Sequence, residues 1–148
     1  YIISSTMDCQ ASEAGKLIAS MALETGKTEY SLKKPCAVIL GGETVVKIKG
    51  DGLGGRNQEL ALYGAVTLDG TDNAVLLSLG SDGTDGPTDA AGGIVDGTTV
   101  SRLYEKGIDV HEILDNNDSY NALKEVDGLI MTGPTGTNVN DVTVLLCK

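Results

Sequence analysis

The hydrophobic and polar positions of this chain follow two periods, which predict strands and helices in alternation. Short apolar runs predict buried strands at residues 37–40 and 74–79, and a shorter strand at residues 1–5. Apolar positions that recur every three or four residues predict amphipathic helices at 10–25 and 56–68. The chain therefore begins as a series of strands separated by helices.

The rest of the pattern completes an α/β fold. Further elements are predicted as a strand at 45–49, helices at 98–106 and 118–125, and strands at 129–131 and 142–146. Strands that alternate with helices form a layered sheet. Two connections, around Gly41-Gly42 and between the last two strands, are too short for a parallel crossover. We predict one α/β domain over residues 1–148, layered α/β/α, with a mixed sheet that is mostly parallel and partly antiparallel.

Composition narrows the function classes. The 148 residues carry 11 basic and 21 acidic side chains, a net charge of −10, which argues against nucleic acid as a partner. No apolar run approaches the length of a membrane span, so no membrane partner is expected. The three cysteines match no metal spacing and are expected to be reduced thiols of a cytoplasmic protein. The first residue is Tyr1 and a strand follows at once, so we expect a fragment of a longer protein.

The glycines are concentrated in three loops. Of 20 glycines, 15 fall in residues 41–55, 80–97 and 128–136, and each of these segments follows a predicted strand. In open α/β sheets, the loops at the carboxyl ends of strands line the ligand crevice. We therefore expect the three loops to converge on one site.

The first loop ends in an arginine at the start of a predicted helix. A cation is unfavourable there, because the first turn carries the positive end of the helix dipole. Arg56 directly after Gly54 and Gly55 therefore predicts an anion site between backbone N–H groups and a guanidinium. Two alternatives stay open: a purely structural glycine turn, and nicotinamide binding through the G-x-G-x-x-G pattern at 50–55. The preceding segment alternates lysine with apolar residues, which disfavours the nicotinamide alternative.

The other two loops offer weaker signals. Asp82, Asp85 and Asp89 place three carboxylates in one loop, where they can hold Mg²⁺ or Ca²⁺ or form local turns. The neighbouring threonines and glycines also suit a phosphate-binding nest. The segment 132–141 is rich in turn formers and could cradle phosphate, although a plain connecting loop explains it equally well.

Four motifs in register carry a family resemblance. They are Gly41-Gly42-Glu43-Thr44, Gly54-Gly55-Arg56-Asn57-Gln58-Glu59-Leu60, Asp82-Gly83-Thr84-Asp85-Gly86-Pro87-Thr88, and Thr132-Gly133-Pro134-Thr135-Gly136-Thr137-Asn138-Val139-Asn140-Asp141. Together they resemble the MOFRL domain, the C-terminal domain of the glycerate 2-kinase family, some of whose members are labelled hydroxypyruvate reductases. The resemblance covers nearly the whole chain.

The resemblance implies phosphorylation of D-glycerate to 2-phosphoglycerate with ATP and Mg²⁺, in a cleft shared with an N-terminal kinase domain that this chain lacks. By that resemblance the chain alone is expected to be inactive. The expected site comprises Arg56 as catalytic residue, Gly54, Gly55, Asn57, Thr84, Thr137 and Asn138 as substrate or phosphate ligands, and Asp82 and Asp85 as metal ligands. Glu43 and Glu59 are expected to accept hydrogen bonds from loop amides. The alternatives are a non-catalytic docking module and an NAD(P)-dependent hydroxypyruvate reductase.

Overall fold

A computed structural model describes all residues from 1 to 148 and contains six strands and five helices. In chain order these are β1 (Ile2–Met7), α1 (Ala11–Glu24), β2 (Cys36–Gly42), α2 (Arg56–Leu68), β3 (Ala74–Gly80), β4 (Gly92–Asp96), α3 (Thr99–Glu105), α4 (Val110–Asp115), α5 (Ser119–Glu125), β5 (Leu129–Ile130) and β6 (Asp141–Cys147). None of the helices is both long enough and apolar enough to cross a bilayer.

The strands form one mixed sheet in the order β1-β2-β6-β3-β4-β5. The predicted α/β class and mixed sheet are confirmed, but the expectation of mostly parallel pairing is wrong. Only β1 and β2 run parallel, and the other four pairs are antiparallel. The last strand, β6, inserts between β2 and β3 and runs against both. The short connections that suggested a mixed sheet therefore do not join neighbouring strands.

The helices cover a single face of this sheet, so the predicted α/β/α layering is corrected to two layers. Along β3, Leu76 and Ser78 are fully buried beneath the helices, whereas Val75 and Leu77 on the opposite face are only partly covered. The buried apolar side chains of all five helices belong to one core cluster, together with those of the strands. Helix α2 lies at the centre of the helical layer and contacts the other four helices as well as β3 and β4.

Two close approaches fix helix α2 in this layer. A side chain at Gly15 of α1 would collide with the carbonyl oxygen of Leu60 in α2, and one at Gly64 would collide with Leu76 of β3. Glycine at position 15 lets the backbones of α1 and α2 approach each other, and glycine at position 64 lets α2 lie directly against the side chain of Leu76. The N-terminus of α2, which begins at Arg56, is thereby held above the ends of β3 and β6.

The secondary structure predicted from the sequence differs from the structure in three places. The segment 45–49 is not a strand, because only Val45 forms an isolated bridge, to Gln10. Strand β4 falls in the glycine-rich stretch predicted as loop; a side chain at Gly92 would collide with the carbonyl of Ser78 on the adjacent strand. Helix α4 is short and lies where no helix is predicted.

Candidate functional site

The three glycine loops meet at one end of the sheet, as the sequence predicts. Gly42 at the end of β2 and Gly80 at the end of β3 both pair with Asp141 at the start of β6. The loop that precedes β6 is bonded to the loop that follows β3, since the Val139 amide donates to Ser81 Oγ at 2.7 Å. Two strand ends, one strand start and the first turn of α2 therefore surround the same space.

Arg56 is pinned there by a buried carboxylate. Its Nε donates to Asp141 Oδ2 at 2.7 Å and its Nη2 donates to Oδ1 at 2.9 Å, while the Asp141 side chain is only 2% exposed. The hydrogen bonds to Asp141 raise the pKa of the guanidinium. Asp141 thus occupies one edge of the guanidinium. The opposite edge, formed by Nη1 and the second N–H of Nη2, keeps donors for a ligand.

A weak ion pair with Glu43 partly occupies the free edge of the guanidinium. Nη1 lies 3.4 Å from Glu43 Oε1, and both side chains are partly open to solvent, with Arg56 33% and Glu43 56% exposed. Such an exposed ion pair contributes little to stability and is easily replaced. An incoming carboxylate or phosphate can therefore compete with Glu43 for the guanidinium.

The N-terminus of α2 is already capped by the chain itself. Asp85 accepts from the backbone amides of Asn57 at 3.1 Å and Gln58 at 2.9 Å, and it also accepts from Asn57 Nδ2. A side chain at Gly55 would collide with this carboxylate, which explains the glycine. The anion that the sequence predicts at the bare helix amides is therefore the chain's own Asp85.

This arrangement changes the predicted role of Asp85. The residue is 2% exposed, and burial raises the pKa of its carboxyl, an effect partly offset by the Gln58 and Asn57 amides. Both carboxylate oxygens are taken up by donors from α2. We therefore assign Asp85 to the scaffold of the site rather than to metal binding.

Asn57, predicted to bind substrate or phosphate, also belongs to the scaffold. It is 1% exposed, and its Oδ1 accepts from Ser78 Oγ at 2.6 Å, which in turn lies 2.8 Å from Thr143 Oγ1. These buried polar groups join α2 to β3 and β6. The network fixes the position of the first turn of α2, from which Arg56 projects.

The glycines of the first loop allow it to pack against the turn between α4 and α5. Side chains at Gly52 and Gly54 would collide with Asp118 and Ser119, respectively. Asn117, at φ 55°, holds the loop through Oδ1, which accepts from the amides of Lys49 at 2.7 Å and Gly50 at 3.2 Å. Close packing explains these glycines, and the loop follows no strand, so the dinucleotide fingerprint lacks its structural context.

Asp82 remains the open carboxylate of the second loop. Its Oδ1 accepts from the Thr84 amide at 3.0 Å and the Thr84 hydroxyl at 3.1 Å, and the backbone bond lowers the pKa of the carboxyl. Asn138 Nδ2 approaches Oδ2 at 3.4 Å. Thr84, Asn138 and the neighbouring Thr137 are exposed. No group of three or more His, Cys, Asp or Glu residues is arranged to hold a metal ion.

A cleft of about 490 Å³ opens beside Arg56. Polar groups reach it from Glu43, Thr44, Arg56, Glu59 and Asn117, and Gly54 and Gly55 form part of its wall. Glu59, which the sequence predicts to accept from a loop amide, accepts at Oε2 from the side-chain amide of Asn117, in the turn between α4 and α5, at 2.8 Å. A larger cavity of about 690 Å³ lies at the opposite end of the sheet and contains none of the predicted site residues.

The site as a whole is acidic. Arg56 is surrounded by the carboxyl groups of Asp141, Glu43, Asp85 and Asp82, each of which contacts the guanidinium or influences it electrostatically. One cation among several carboxylates cannot attract an anionic ligand by local charge alone. Additional positive charge would favour the binding of a phosphate or carboxylate here.

Sequence patterns missed three residues of the site. Asp141 stands in a quoted motif but has no predicted role, because its partner Arg56 is 85 positions away. The role of Asn117 could not be predicted for the same reason, because Asn117 contacts Lys49, 68 positions away in the chain. The open carboxylate oxygen of Glu59 is not visible in sequence at all.

The fold and the site together define an α/β domain with a pinned arginine beside an acidic cleft. Residues 36–141 match the MOFRL family, and the chain belongs to that family.

The relatives that the chain matches are much longer than it is. The D-glycerate 2-kinase of Thermotoga maritima is 58% identical over 143 residues, which cover 97% of this chain and 34% of the relative. The glycerate 2-kinase of Pyrococcus horikoshii is 47% identical over 147 residues, covering 99% and 33%. The crystal structure of glycerate kinase from Thermotoga maritima superposes with a TM-score of 0.97 at 57% identity, covering all of this chain and 36% of that one. The chain thus spans about a third of these relatives.

Proposed function

We propose that this chain is the C-terminal domain of a glycerate 2-kinase, which transfers a phosphoryl group from ATP to the 2-hydroxyl of D-glycerate. The names of its relatives support the reaction. The match covers only about a third of each relative, which supports the proposal that the chain is part of a larger enzyme. The observation that carries the proposal is the geometry of Arg56. Asp141 holds one edge of the guanidinium, and the other edge lines the cleft.

The free edge of Arg56 suits a carboxylate or a phosphoryl group. Two parallel N–H groups of a guanidinium match two oxygens of either anion and fix its orientation. Since phosphoryl transfer depends on positioning and on neutralising negative charge, a pinned cation is useful without further chemistry. We assign Arg56 to binding the substrate carboxylate or the transferred phosphoryl group, with Gly54 and Gly55 forming the wall beside it.

Mg²⁺ and ATP fit this site in part. Mg²⁺ in kinases is commonly held by one or two carboxylates together with phosphate oxygens and water, and Asp82 is a partly exposed carboxylate of this kind. Bound Mg²⁺ would neutralise charge on the phosphates of ATP. Thr84 and Asn138 contact Asp82, and Thr137 precedes Asn138 in the same loop. Their hydroxyl and amide groups are available to phosphate oxygens.

The acidic surroundings of Arg56 support an active site completed by another domain. An N-terminal kinase domain that brings cationic side chains would balance the carboxylates of this one. A docking module without catalytic contribution would leave the free edge of the Arg56 guanidinium unused. Nothing in the packing of the Gly50–Gly55 loop favours a nicotinamide-dependent reductase. A cytoplasmic location remains a prediction from the three free cysteines.

The test compares the complete polypeptide encoded by the gene with the 148-residue chain alone. ADP release is followed in the presence of ATP, Mg²⁺ and D-glycerate. We expect turnover by the complete polypeptide and none by the chain alone. Lack of turnover by the complete polypeptide would refute the kinase assignment, and turnover by the isolated chain would refute the shared site.

A further inference from the structure

Glu59 is a buried carboxylate that the chain satisfies only in part. The residue is 5% exposed and lies on the first turns of α2, on the wall of the cleft. Its Oε2 accepts from Asn117 Nδ2 at 2.8 Å, whereas Oε1 has no hydrogen-bond partner within the chain. This free oxygen is not sealed inside the protein, so a group that enters the cleft can reach it.

The charged groups around Glu59 act on its carboxyl in opposite directions. Lys49 favours its ionised form but is itself exposed and paired with Asp115, while Asp85 disfavours that form. Burial is the dominant effect and raises the pKa of the Glu59 carboxyl. Arg56, which lines the same cleft, is held by Asp141 rather than by Glu59. Perturbed carboxyl groups in a cleft are typical of catalytic acids and bases.

We infer that Glu59 is a second catalytic residue, whose free oxygen accepts a hydrogen bond from the substrate hydroxyl and then its proton. This inference rests on the proposed function. Arg56 and Glu59 are three positions apart on one helix, so their side chains emerge on the same face. Asn117 holds the Glu59 carboxylate in place from the opposite wall.

The two side chains suit the substrate class of the proposed reaction. Arg56 takes a carboxylate, and Glu59, one helical turn away, takes a hydroxyl on the neighbouring carbon, as in a 2-hydroxy acid. During transfer the hydroxyl oxygen forms a bond to the γ-phosphorus of the nucleoside triphosphate, and the bond from that phosphorus to the bridging oxygen breaks. The hydroxyl proton passes to Glu59 Oε1, and the nucleoside diphosphate leaves with the bridging oxygen.

The test uses the complete polypeptide and three variants: Glu59→Gln, Glu59→Asp and, as a matched control, Glu105→Gln at an exposed position of α3. We expect Glu59→Gln to lower kcat at least about 100-fold, as for a lost general base, with a much smaller change in KM for D-glycerate. Glu59→Asp should retain intermediate activity, because a carboxylate remains. Glu105→Gln should match the wild type.

The pH profile separates catalysis from a structural role. Glu59 works in its ionised form, so kcat/KM of the wild type should fall as the pH drops through its raised pKa. That acid limb should be missing in Glu59→Gln. If Glu59→Gln does not fold, a wild-type kcat/KM that does not fall towards acid pH, down to the lowest pH at which the enzyme stays folded, would overturn the inference.

The outcomes also distinguish this inference from the proposed function. An active wild type with a Glu59→Gln variant that keeps more than about a tenth of kcat overturns the role of Glu59 alone. A wild type that phosphorylates no 2-hydroxy acid overturns both. A low-activity Glu59→Gln variant that retains the acid limb also contradicts proton transfer to Glu59.

Discussion

Replacing Arg56 by alanine should destabilise the fold far more than replacing its partner. Asp141 is 2% exposed, so Arg56→Ala leaves an uncompensated buried charge, which costs about 3–5 kcal/mol of the free energy of unfolding. In Asp141→Asn the remaining guanidinium is 33% exposed, and water can solvate it. That variant should lose only about 1–2 kcal/mol, the value of weakened hydrogen bonds.

The double variant tests whether the buried charge of Asp141 causes this loss of stability. Once Asp141 is replaced by asparagine, removal of Arg56 no longer strands a charge. Arg56→Ala/Asp141→Asn should therefore be more stable than Arg56→Ala alone, although it carries one more substitution. Urea unfolding of the 148-residue chain, followed by far-UV circular dichroism, gives all three free energies. The explanation would be refuted if the two single variants lost the same free energy of unfolding and the double variant lost the sum of the two.

The large loss of stability predicted for Arg56→Ala makes this variant a poor probe of activity. An inactive Arg56→Ala enzyme could simply be unfolded, so Arg56→Lys is the better probe. Lysine keeps a positive charge beside Asp141 but lacks the second edge for a bidentate ligand. In the complete polypeptide we expect a folded Arg56→Lys enzyme whose kcat/KM is lowered at least about 100-fold. Near-normal turnover would show that the free guanidinium edge binds nothing in the reaction.

Two further predictions concern the scaffold of the site. Asp85→Ala should cost about 2–4 kcal/mol, because two buried backbone amides of α2 lose their acceptor, and amide hydrogen exchange at Asn57 and Gln58 should accelerate. Unchanged exchange there would contradict the capping role. Asn117→Ala should cost about 1 kcal/mol more than Asn117→Gly, because both lose the bonds to Lys49 and Gly50 but only alanine is strained at φ 55°. Equal melting temperatures of the two variants would rule out that backbone contribution.

Local sequence signals were sufficient for much of the fold. The helix at 56–68 is confirmed with the same bounds, since a glycine loop marks its start and its apolar period is regular. The segment 45–49 alternates apolar and basic residues, but a strand also needs a neighbouring strand to pair with, and this segment has none. In its place, the Lys49 amide bonds to the side chain of Asn117. Strand β4 was hidden because its two glycines, which the packing requires, are typical of loops.

The site was predictable in outline but not in its partners. Glycine loops placed after strands were enough to predict that they converge, and the cation at the start of a helix drew attention to Arg56. The anion expected at that helix turned out to be Asp85, whose contact with α2 spans 28 positions and depends on the tertiary fold. The carboxylate that holds Arg56 is set by the insertion of β6 between β2 and β3, a pairing that no local pattern indicates.

We propose above that this domain helps to phosphorylate a 2-hydroxy acid at the hydroxyl next to its carboxylate. The most direct measurement is the phosphorus NMR spectrum of the product formed by the complete polypeptide from ATP, Mg²⁺ and D-glycerate. We predict a single 2-phosphoglycerate signal, which depends on Arg56. A 3-phosphoglycerate signal, or ADP formed without any phosphoglycerate, would contradict the account.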